Sequence, residues 1–504
     1  MRTARPDGGA AKEYLLVAAA VLATRQMTIV ARHGNRFAHE GRLMCGLAPR
    51  KGAMKSISRS RAMCEWDDFD TAAPQIRAAL AMPDGPATPP FLLLSEPGIT
   101  AGEQRACSES WTAARLLAAG PLRASLAMRF DLSTRSRIRV GYLSNDFHEH
   151  ATAHLLVETL EAHDRARFEI RAYSYCGVEG AMRTRLRAAF DAFADVSQLT
   201  DAEAARLINA DGVDILIDLK GFTHGARTSV MMLRPAPVQV NYLGYPGTLG
   251  TGVCDYIVTD RYVTPPSSAS AYSEAFAYLP HAYQPHGRGT PLRAPPSRAA
   301  AGLPAEGFVY CCFNQAYKLT PFIFDLWARL LEATPGAVLW LSAAMLAEGN
   351  LRNEMRRRGI DAARMIFAPH LPQAEHLARL QLADLALDTA PFGSHTTASD
   401  ALWAGVPIVT CAGDTFPSRV AGSLLHAIGL PELIAADFDE YLEIALVLAE
   451  DPVRYAELRG KLAANRLTTA LFDVHAYTRA LESLFEDMWR RRLAGAPPVA
   501  IGAA

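Results

Sequence analysis

The feature that most constrains the fold is an alternation of short apolar runs with helical segments, which occurs twice along the 504-residue chain. The first series starts at Arg137 with RIRVGYLS and continues through RFEIRAYSY, VDILIDL, VQVNYLG and DYIVTD. The second starts at Phe308 with FVYCCF and continues through AVLWLS, MIFAP, LALDT and PIVT. Strands that alternate with helices indicate parallel sheets. We therefore predict an α/β protein with two Rossmann-like halves, and such folds bind ligands at the carboxyl ends of their strands.

The same pattern sets the domain boundaries. Residues 1–60 stay unassigned, 61–130 form a helical lead-in, 131–300 the N-terminal half, 301–470 the C-terminal half, and 471–495 a long terminal helix. The Pro-, Ser- and Gly-rich stretch 264–306 is predicted to be the linker between the halves. The early apolar run at 14–23 predicts a short packed helix, because it is about half of what a bilayer requires.

Composition excludes several classes of protein. Lysine and arginine number 51 against 52 acidic residues, and this balance gives no sign of a nucleic-acid partner. The eight cysteines include no C-x-x-C pair, so we expect a reducing compartment, the cytoplasm. A basic start before the early apolar run resembles a signal peptide, but Asp7 and Glu13 disfavour one.

The stretch LALDTAPFGSHTTASDALWAGVP predicts a binding loop for a diphosphate. A buried strand ends at Asp388, and a helix is expected to start at His395, Thr396 and Thr397 with Asp400 in its first turns. Threonine is a good helix cap, and free N–H groups at a helix N-terminus hold phosphate well. The alternative is an ordinary strand-to-helix turn with a threonine cap.

Each half has one further motif directly after its first strand. In FNQAYKLTP, Gln315 and Lys318 lie on a loop that would face a ligand cleft between the two halves, where a lysine can neutralise a departing diphosphate. A solvated lysine is the alternative. In NDFHEHATAHL, His150 is a candidate general base or sugar contact, while His154 has an equally plausible capping or core role. We disfavour a metal site, because no carboxylate or cysteine stands at a fitting spacing.

An acidic triplet, Asp68-Phe69-Asp70, resembles the metal-holding triplet of some nucleotide-sugar enzymes. It lies in the lead-in, outside both halves, and is interpreted as the acidic start of a helix. We expect no metal and no other cofactor.

Taken together, the motifs resemble the catalytic region of the protein O-GlcNAc transferases and the related SPINDLY proteins, inverting glycosyltransferases of the GT-B fold with bacterial members. The resemblance runs from about Cys64 to Trp489, and its markers are VGYLSNDFHEHATAHL, LRPAPVQVNYLGYPGT, FNQAYK, QLADLALDT, HTTASDALWAG and SRVAGSLL. It implies transfer of N-acetylglucosamine from UDP-GlcNAc to Ser or Thr of proteins without a metal. It also implies two partners, the nucleotide sugar and a protein acceptor; we expect no membrane span.

The resemblance also implies roles for individual residues. Gln315 and Lys318 match the nucleotide-contacting pair, with Lys318 near the β-phosphate. The diphosphate loop is matched by His395, Thr396 and Thr397, and a nucleotide-contacting aspartate by Asp400. The loop that reads uracil and the basic positions after it are matched by His370, Leu371, Pro372, His376 and Arg379. His150 matches the histidine proposed as the catalytic base.

Three departures keep other functions open. Gln373 stands where the family often has a lysine that reaches the ribose, and Phe392 differs from the family near the sugar. We expect the tetratricopeptide repeats that normally precede this region to be absent, with at most a remnant in 1–60. The alternatives are another donor, such as UDP-glucose or GDP-fucose, another acceptor, or a nucleotide-sugar-binding protein with little catalysis. The retained His395 and Asp400 disfavour the fucosyl branch.

Overall fold

The computed structural model describes residues 51–82, 88–342 and 347–502. The helix expected at 14–23 lies outside these residues, as does most of the expected repeat remnant. None of the helices in the described residues is long and apolar enough to cross a membrane.

The first sheet is built from short, buried, largely apolar strands, as expected for a parallel sheet covered on both faces. Its strands are β1 (Ile138–Ser144), β2 (Phe168–Ser174), β3 (Ala192–Asp195), β4 (Ile215–Asp218), β5 (Val238–Asn241), β6 (Tyr256–Asp260) and β7 (Ala275–Leu279). They pair in parallel in the order 3-2-1-4-5-6-7. The order reverses between β1 and β4, which places a crevice outside their carboxyl ends.

The second sheet repeats this topology. Its strands are β8 (Val309–Cys312), β9 (Val338–Ser342), β10 (Met365–Ala368), β11 (Leu385–Leu387), β12 (Ile408–Cys411) and β13 (Ile434–Ala435). They pair in parallel in the order 10-9-8-11-12-13, so the reversal lies between β8 and β11. Strand β14 (Ile501–Gly502) returns to the first sheet and pairs with β7. The two sheets and the surrounding helices form the GT-B fold predicted from the sequence.

The helices of the described residues cover the sheets and form the lead-in. They are α1 (Lys51–Met63), α2 (Ala72–Ala81), α3 (Pro90–Leu93), α4 (Ala101–Leu126), α5 (Ala151–Ala162), α6 (Ala181–Ala189), α7 (Asp201–Ala210), α8 (Thr228–Met232), α9 (Pro321–Ala333), α10 (Glu348–Arg357), α11 (Gln373–Leu380), α12 (Thr396–Ala404), α13 (Phe416–Ile428), α14 (Phe438–Glu450), α15 (Pro452–Thr468) and α16 (Val474–Leu493). Helix α1 covers the end of the stretch left unassigned by the sequence.

The segment expected to be a plain linker, 264–306, contains strand β7. Its sequence AFAYL is almost wholly buried and pairs in register with β6. The flanking serines and prolines concealed a five-residue strand, so the expectation of a structureless linker was wrong over 275–279.

The lead-in contacts both halves. Cys64 and Trp66 belong to the core of the second half, where the Trp66 ring meets Phe324 edge-on at 5.3 Å. Helix α4 packs on the first half, and the Thr112 hydroxyl donates to the carbonyl of Leu249 at 2.7 Å. The terminal helix α16 also packs on the first half, where Phe485 is fully buried.

Candidate functional site

Two loops meet outside the carboxyl ends of β8 and β11, the neighbouring strands at which the order of the second sheet reverses. The loop after β8 turns through a 3-10 turn, Ala316–Lys318, and the loop after β11 spans 388–395. They are joined where Nζ of Lys318 donates to the carbonyl of Gly393 at 2.7 Å. The two sequence motifs predicted to face the ligand are therefore in direct contact.

The loop 388–395 is held by hydrogen bonds to the buried side chain of Asp388. Its Oδ1 accepts from the backbone N–H groups of Thr389 and Ser394, and its Oδ2 accepts from the Thr410 hydroxyl at 2.7 Å. Burial raises the pKa of this carboxyl, while the hydrogen bond from Thr410 opposes the rise. With both oxygens engaged, the side chain fixes the path of the loop.

Asn314 connects the two loops to the helix that follows. Its Nδ2 donates to the hydroxyls of Thr389, at 2.9 Å, and Ser394, at 2.7 Å. Its Oδ1 accepts from the Thr397 hydroxyl at 2.8 Å. Sequence reasoning missed Asn314 and Asp388 as organisers, although both stand inside the motifs FNQAYK and LALDT.

Helix α12 begins directly after the second loop. Its cap is His395, which makes no side-chain capping bond, so the expected threonine cap was wrong. The Thr397 hydroxyl is instead engaged by Asn314. The first N–H groups of an α-helix, here those of Thr396 and Thr397, have no acceptor within the helix, and N–H groups at such an end can bind an anion.

Lys318 is a buried cation at this point. Within the described residues its Nζ makes one hydrogen bond, to Gly393, and lies 4.0 Å from the centroid of the Phe392 ring. Burial lowers the pKa of Lys318 to about 8, and the nearby Asp388 opposes the shift. The alternative of a solvated lysine is wrong, because Lys318 is buried. Two of its three N–H groups are left to meet a ligand's oxygens.

His395 is held as a neutral ring. Its Nε2 lies 3.2 Å from the carbonyl of Pro417, which can only accept, so the proton is on Nε2 and Nδ1 is left as an acceptor. Burial lowers the pKa of His395 well below its usual value, and the charge of Lys318 adds to the shift. Lys318 is therefore the positive charge beside the start of α12.

A second group of predicted residues surrounds the start of α11. His370 is exposed, and Pro372 is the cap of this helix. The guanidinium of Arg379 donates to Nδ1 of His376 at 3.2 Å and to the carbonyl of Pro369. Burial lowers the pKa of His376 to about 4 and that of Arg379 to about 10.

Asp400 joins this group to α12. Its Oδ1 accepts from Nε2 of Gln373 at 3.0 Å and lies 3.7 Å from Nε2 of His286. A second contact from the same connecting segment is made by Gln284, which donates to the Ser399 hydroxyl at 3.0 Å. Sequence reasoning missed His286 and Gln284, since they stand more than a hundred residues before α12.

Gln315 and Leu371 complete the predicted set on the second half. Gln315 is exposed and caps the turn that carries Lys318. Leu371 is half-buried in the loop before α11.

His150 belongs to the first half, where it lies between β1 and α5. It caps α5, and its Nδ1 accepts from the backbone N–H of Thr152 at 3.2 Å. Burial lowers the pKa of His150, and Asp146 opposes the shift. His154 is bound to Glu149 through its Nε2.

No group of three or more His, Cys, Asp or Glu side chains within the described residues could hold a metal ion. Asp68 and Asp70 are exposed around the short turn Phe69–Thr71, and α2 begins only at Ala72. The triplet therefore lies on a turn before the helix, and Asp68 makes no capping bond.

Known proteins are similar to this chain in sequence and in structure. One relative, a probable UDP-N-acetylglucosamine–peptide N-acetylglucosaminyltransferase SEC of Arabidopsis thaliana, is 37% identical over 72% of this chain and 38% of its own length. The corresponding Caenorhabditis elegans transferase is 31% identical over 74% of this chain and 42% of its own length. This chain thus spans about two-fifths of the length of these relatives.

A solved structure and a family profile extend the similarity. A mutant of the Thermobaculum terrenum O-GlcNAc transferase superposes with a TM-score of 0.75 at 30% identity, covering 88% of this chain and 85% of that one. The profile of glycosyl transferase family 41 matches residues 122–286 and 293–481, which include strands β1 to β13 and the loops around Lys318. The chain belongs to glycosyl transferase family 41.

Proposed function

We propose that this glycosyltransferase moves N-acetylglucosamine from UDP-GlcNAc to Ser or Thr hydroxyls of proteins, with inversion and without a metal. The observation that carries the proposal is the buried Lys318, held by the Gly393 carbonyl beside the open N-terminus of α12. The printed names of the relatives support the donor and the peptide acceptor.

The leaving group of such a reaction is a nucleoside diphosphate, whose negative charge grows as the glycosidic bond breaks. The Lys318 cation and the N–H groups of Thr396 and Thr397 provide fixed positive charge for it. Since these groups are set by Asp388 and Asn314 before any ligand binds, little reorganisation is needed during the reaction.

The remaining residues of the second half would hold the nucleoside. We assign the uracil to the loop of His370, Leu371 and Pro372. We assign the ribose to Asp400, whose Oδ1 accepts from Gln373 and lies 3.7 Å from Nε2 of His286. His376 and Arg379 support this loop from behind, since Arg379 donates to the carbonyl of Pro369, and Gln315 contacts the nucleotide from the β8 side.

The acceptor hydroxyl would approach from the first half. It attacks the anomeric carbon opposite the diphosphate, so that the new bond forms as the old one breaks and the configuration inverts. The hydroxyl proton goes to a base, for which His150 is the candidate. Holding donor and acceptor in line supplies much of the rate.

A specific observation favours a second donor, UDP-glucose. The buried Phe392 ring lies 6.0 Å from Tyr317 and 6.2 Å from Phe91, and these rings fill the space beside Lys318. A sugar without an N-acetyl group needs less room there.

The unpaired thiols of the described residues support a reducing compartment, the cytoplasm.

The test is a transfer assay on the purified chain with EDTA present. UDP-GlcNAc, UDP-glucose and GDP-fucose are offered with a protein mixture, and released nucleotide and label on Ser or Thr are measured. We expect UDP release and label from UDP-GlcNAc. Label from UDP-glucose alone would replace the donor, loss of activity with EDTA would contradict the metal-free mechanism, and tight UDP binding without release from any donor would indicate a binding protein.

A further inference from the structure

A buried ion pair lies at the carboxyl edge of the first sheet, beside His150. Asp146 follows β1 and Lys220 follows β4, the two strands between which the order reverses. Nζ of Lys220 donates to both carboxylate oxygens of Asp146, at 2.9 and 3.0 Å. Both side chains are buried, and the proposed reaction uses neither of them.

The same carboxylate approaches the candidate base. Its Oδ2 lies 3.5 Å from Nδ1 of His150, the atom that also accepts from the N–H of Thr152 at 3.2 Å. Nδ1 thus has a donor and an acceptor competing for it. With Thr152 as its partner, the neutral ring carries its proton on Nε2; with Asp146 as its partner, the proton moves to Nδ1 and Nε2 becomes free to accept one.

We infer that Lys220 is a positioning residue that sets the proton-accepting strength of His150 by neutralising Asp146. The inference rests on the proposed function. A carboxylate facing Nδ1 stabilises both the charged ring and the form with a free Nε2. Lys220 donates to both oxygens of that carboxylate, and its positive charge weakens the stabilisation that Asp146 gives to these two forms of the ring.

The other groups around the ring agree with this assignment. Burial lowers the pKa of His150, Asp146 opposes the shift, and Lys220, His148 and His154 add to it. His154 is bound to Glu149, and the His148 ring lies 5.7 Å from that of His150. Asp146 is therefore the group that favours the charged ring, and Lys220 is the cation that faces it.

The experiment is an NMR titration of the histidine rings, with the His150 signal assigned by its loss in His150→Gln. In Lys220→Met we expect the pKa of His150 to rise by about one unit, because Asp146 is released. The acidic limb of kcat/KM should move to higher pH with it. Lys461→Met removes a lysine of an exposed ion pair with Glu432 and should leave both unchanged. An unchanged pKa of His150 in folded Lys220→Met would overturn the inference.

A second pair of variants covers the case in which Lys220→Met does not fold because it leaves Asp146 buried without its partner. Asp146→Asn keeps the lysine charge, whereas Asp146→Asn with Lys220→Met removes both charges. If Lys220 acts by neutralising Asp146, the His150 pKa should differ much less between these two variants than it changes when the lysine charge is removed with Asp146 present. An equal or larger difference would show that Lys220 acts directly on the ring and would overturn the inference. Lys220→Gln, whose amide can still donate to Asp146, takes the place of Lys220→Met if that variant does not fold, and an unchanged pKa of His150 in it would also overturn the inference. Since the titration needs no turnover, a shifted pKa in a protein that transfers no sugar would contradict the proposed function and leave this coupling intact.

Discussion

The two sheets share one strand order but carry different chemistry at the edge where that order reverses. In the second half, Lys318 faces a carbonyl and a helix N-terminus, while both oxygens of Asp388 accept hydrogen bonds. In the first half, Lys220 is already paired with Asp146. There, Oδ2 of Asp218 is buried and has no hydrogen-bond partner within the described residues.

This difference agrees with the two tasks that we propose for the two edges. The second edge keeps a positive charge available and its carboxylate occupied, which suits an anionic ligand. At the first edge, burial raises the pKa of Asp218 to about 6, and Asp146 adds to the rise. A carboxyl with such a pKa suits the hydroxyl deprotonation that we propose for this edge.

Removing the charge of the second edge should have the largest effect. In Lys318→Met the apolar stem still fills its place, but the diphosphate loses its cation as it departs. We expect turnover to fall by about 10²–10³-fold, measured as UDP release from UDP-GlcNAc. Circular dichroism should show an unchanged fold, and near wild-type turnover would remove Lys318 from the mechanism.

Removing the anchor of the loop should cost stability. Asp388→Ala leaves two backbone N–H groups and the Thr410 hydroxyl without their buried acceptor. We expect the free energy of unfolding to fall by about 3 kcal/mol in urea titrations. Asp414→Ala, at an exposed position in the loop after β12, is the control and should change little. Equal stabilities of the two variants would show that Asp388 does not hold the loop.

The pH dependence of the second edge follows from the lowered pKa of Lys318, about 8. The lysine is charged below this value, so kcat/KM should fall as pH rises through it. A bound diphosphate favours the charged lysine, and the fall in kcat should therefore lie at higher pH than the fall in kcat/KM. In Lys318→Arg the charge persists at all these pH values. A pH–rate profile without a fall above pH 8 in the wild type would contradict the assignment.

The smallest effect is expected from restoring a charge at the ribose side. Gln373 donates a neutral hydrogen bond to Asp400. In Gln373→Lys this bond becomes charge-assisted, and the added cation faces the nucleotide. We expect UDP to bind about fivefold more tightly by calorimetry. Weaker binding would mean that Asp400 needs the amide for its position.

The sequence predicted the strands and helices well where apolar runs are long and bounded by turns, as in β1 and β8. It missed β7, because serines and prolines surround that short run. It predicted two loops for a diphosphate, which the structure joins through Lys318 and Gly393, but it did not predict the side chains that hold these loops in place. Asn314 and Gln284 act through hydrogen bonds between segments far apart in the chain, which no local pattern encodes. Asp388 acts mainly within its own loop, but its role depends on the path that the folded loop takes.

Charge states were equally hidden from sequence. A motif cannot tell that Lys318 is buried, that Nε2 of His395 is directed at a carbonyl, or that Nδ1 of His150 accepts from Thr152. These properties come from tertiary packing, which sets both the tautomer and the desolvation of each ring.

The lead-in, with Cys64 and Trp66 in the second half and Thr112 on the first, has a consequence for building chimeras. The thiol of Cys64 lies 3.5 Å from the carbonyl of Ala316, in the turn that carries Lys318. In a hybrid enzyme whose halves are joined at residue 131, the lead-in would come from one parent and the turn of Ala316 from the other. The contact between Cys64 and this turn would then join residues of two different proteins. The exchangeable unit comprises the second half together with the lead-in residues around Cys64 and Trp66, a discontinuous piece of chain.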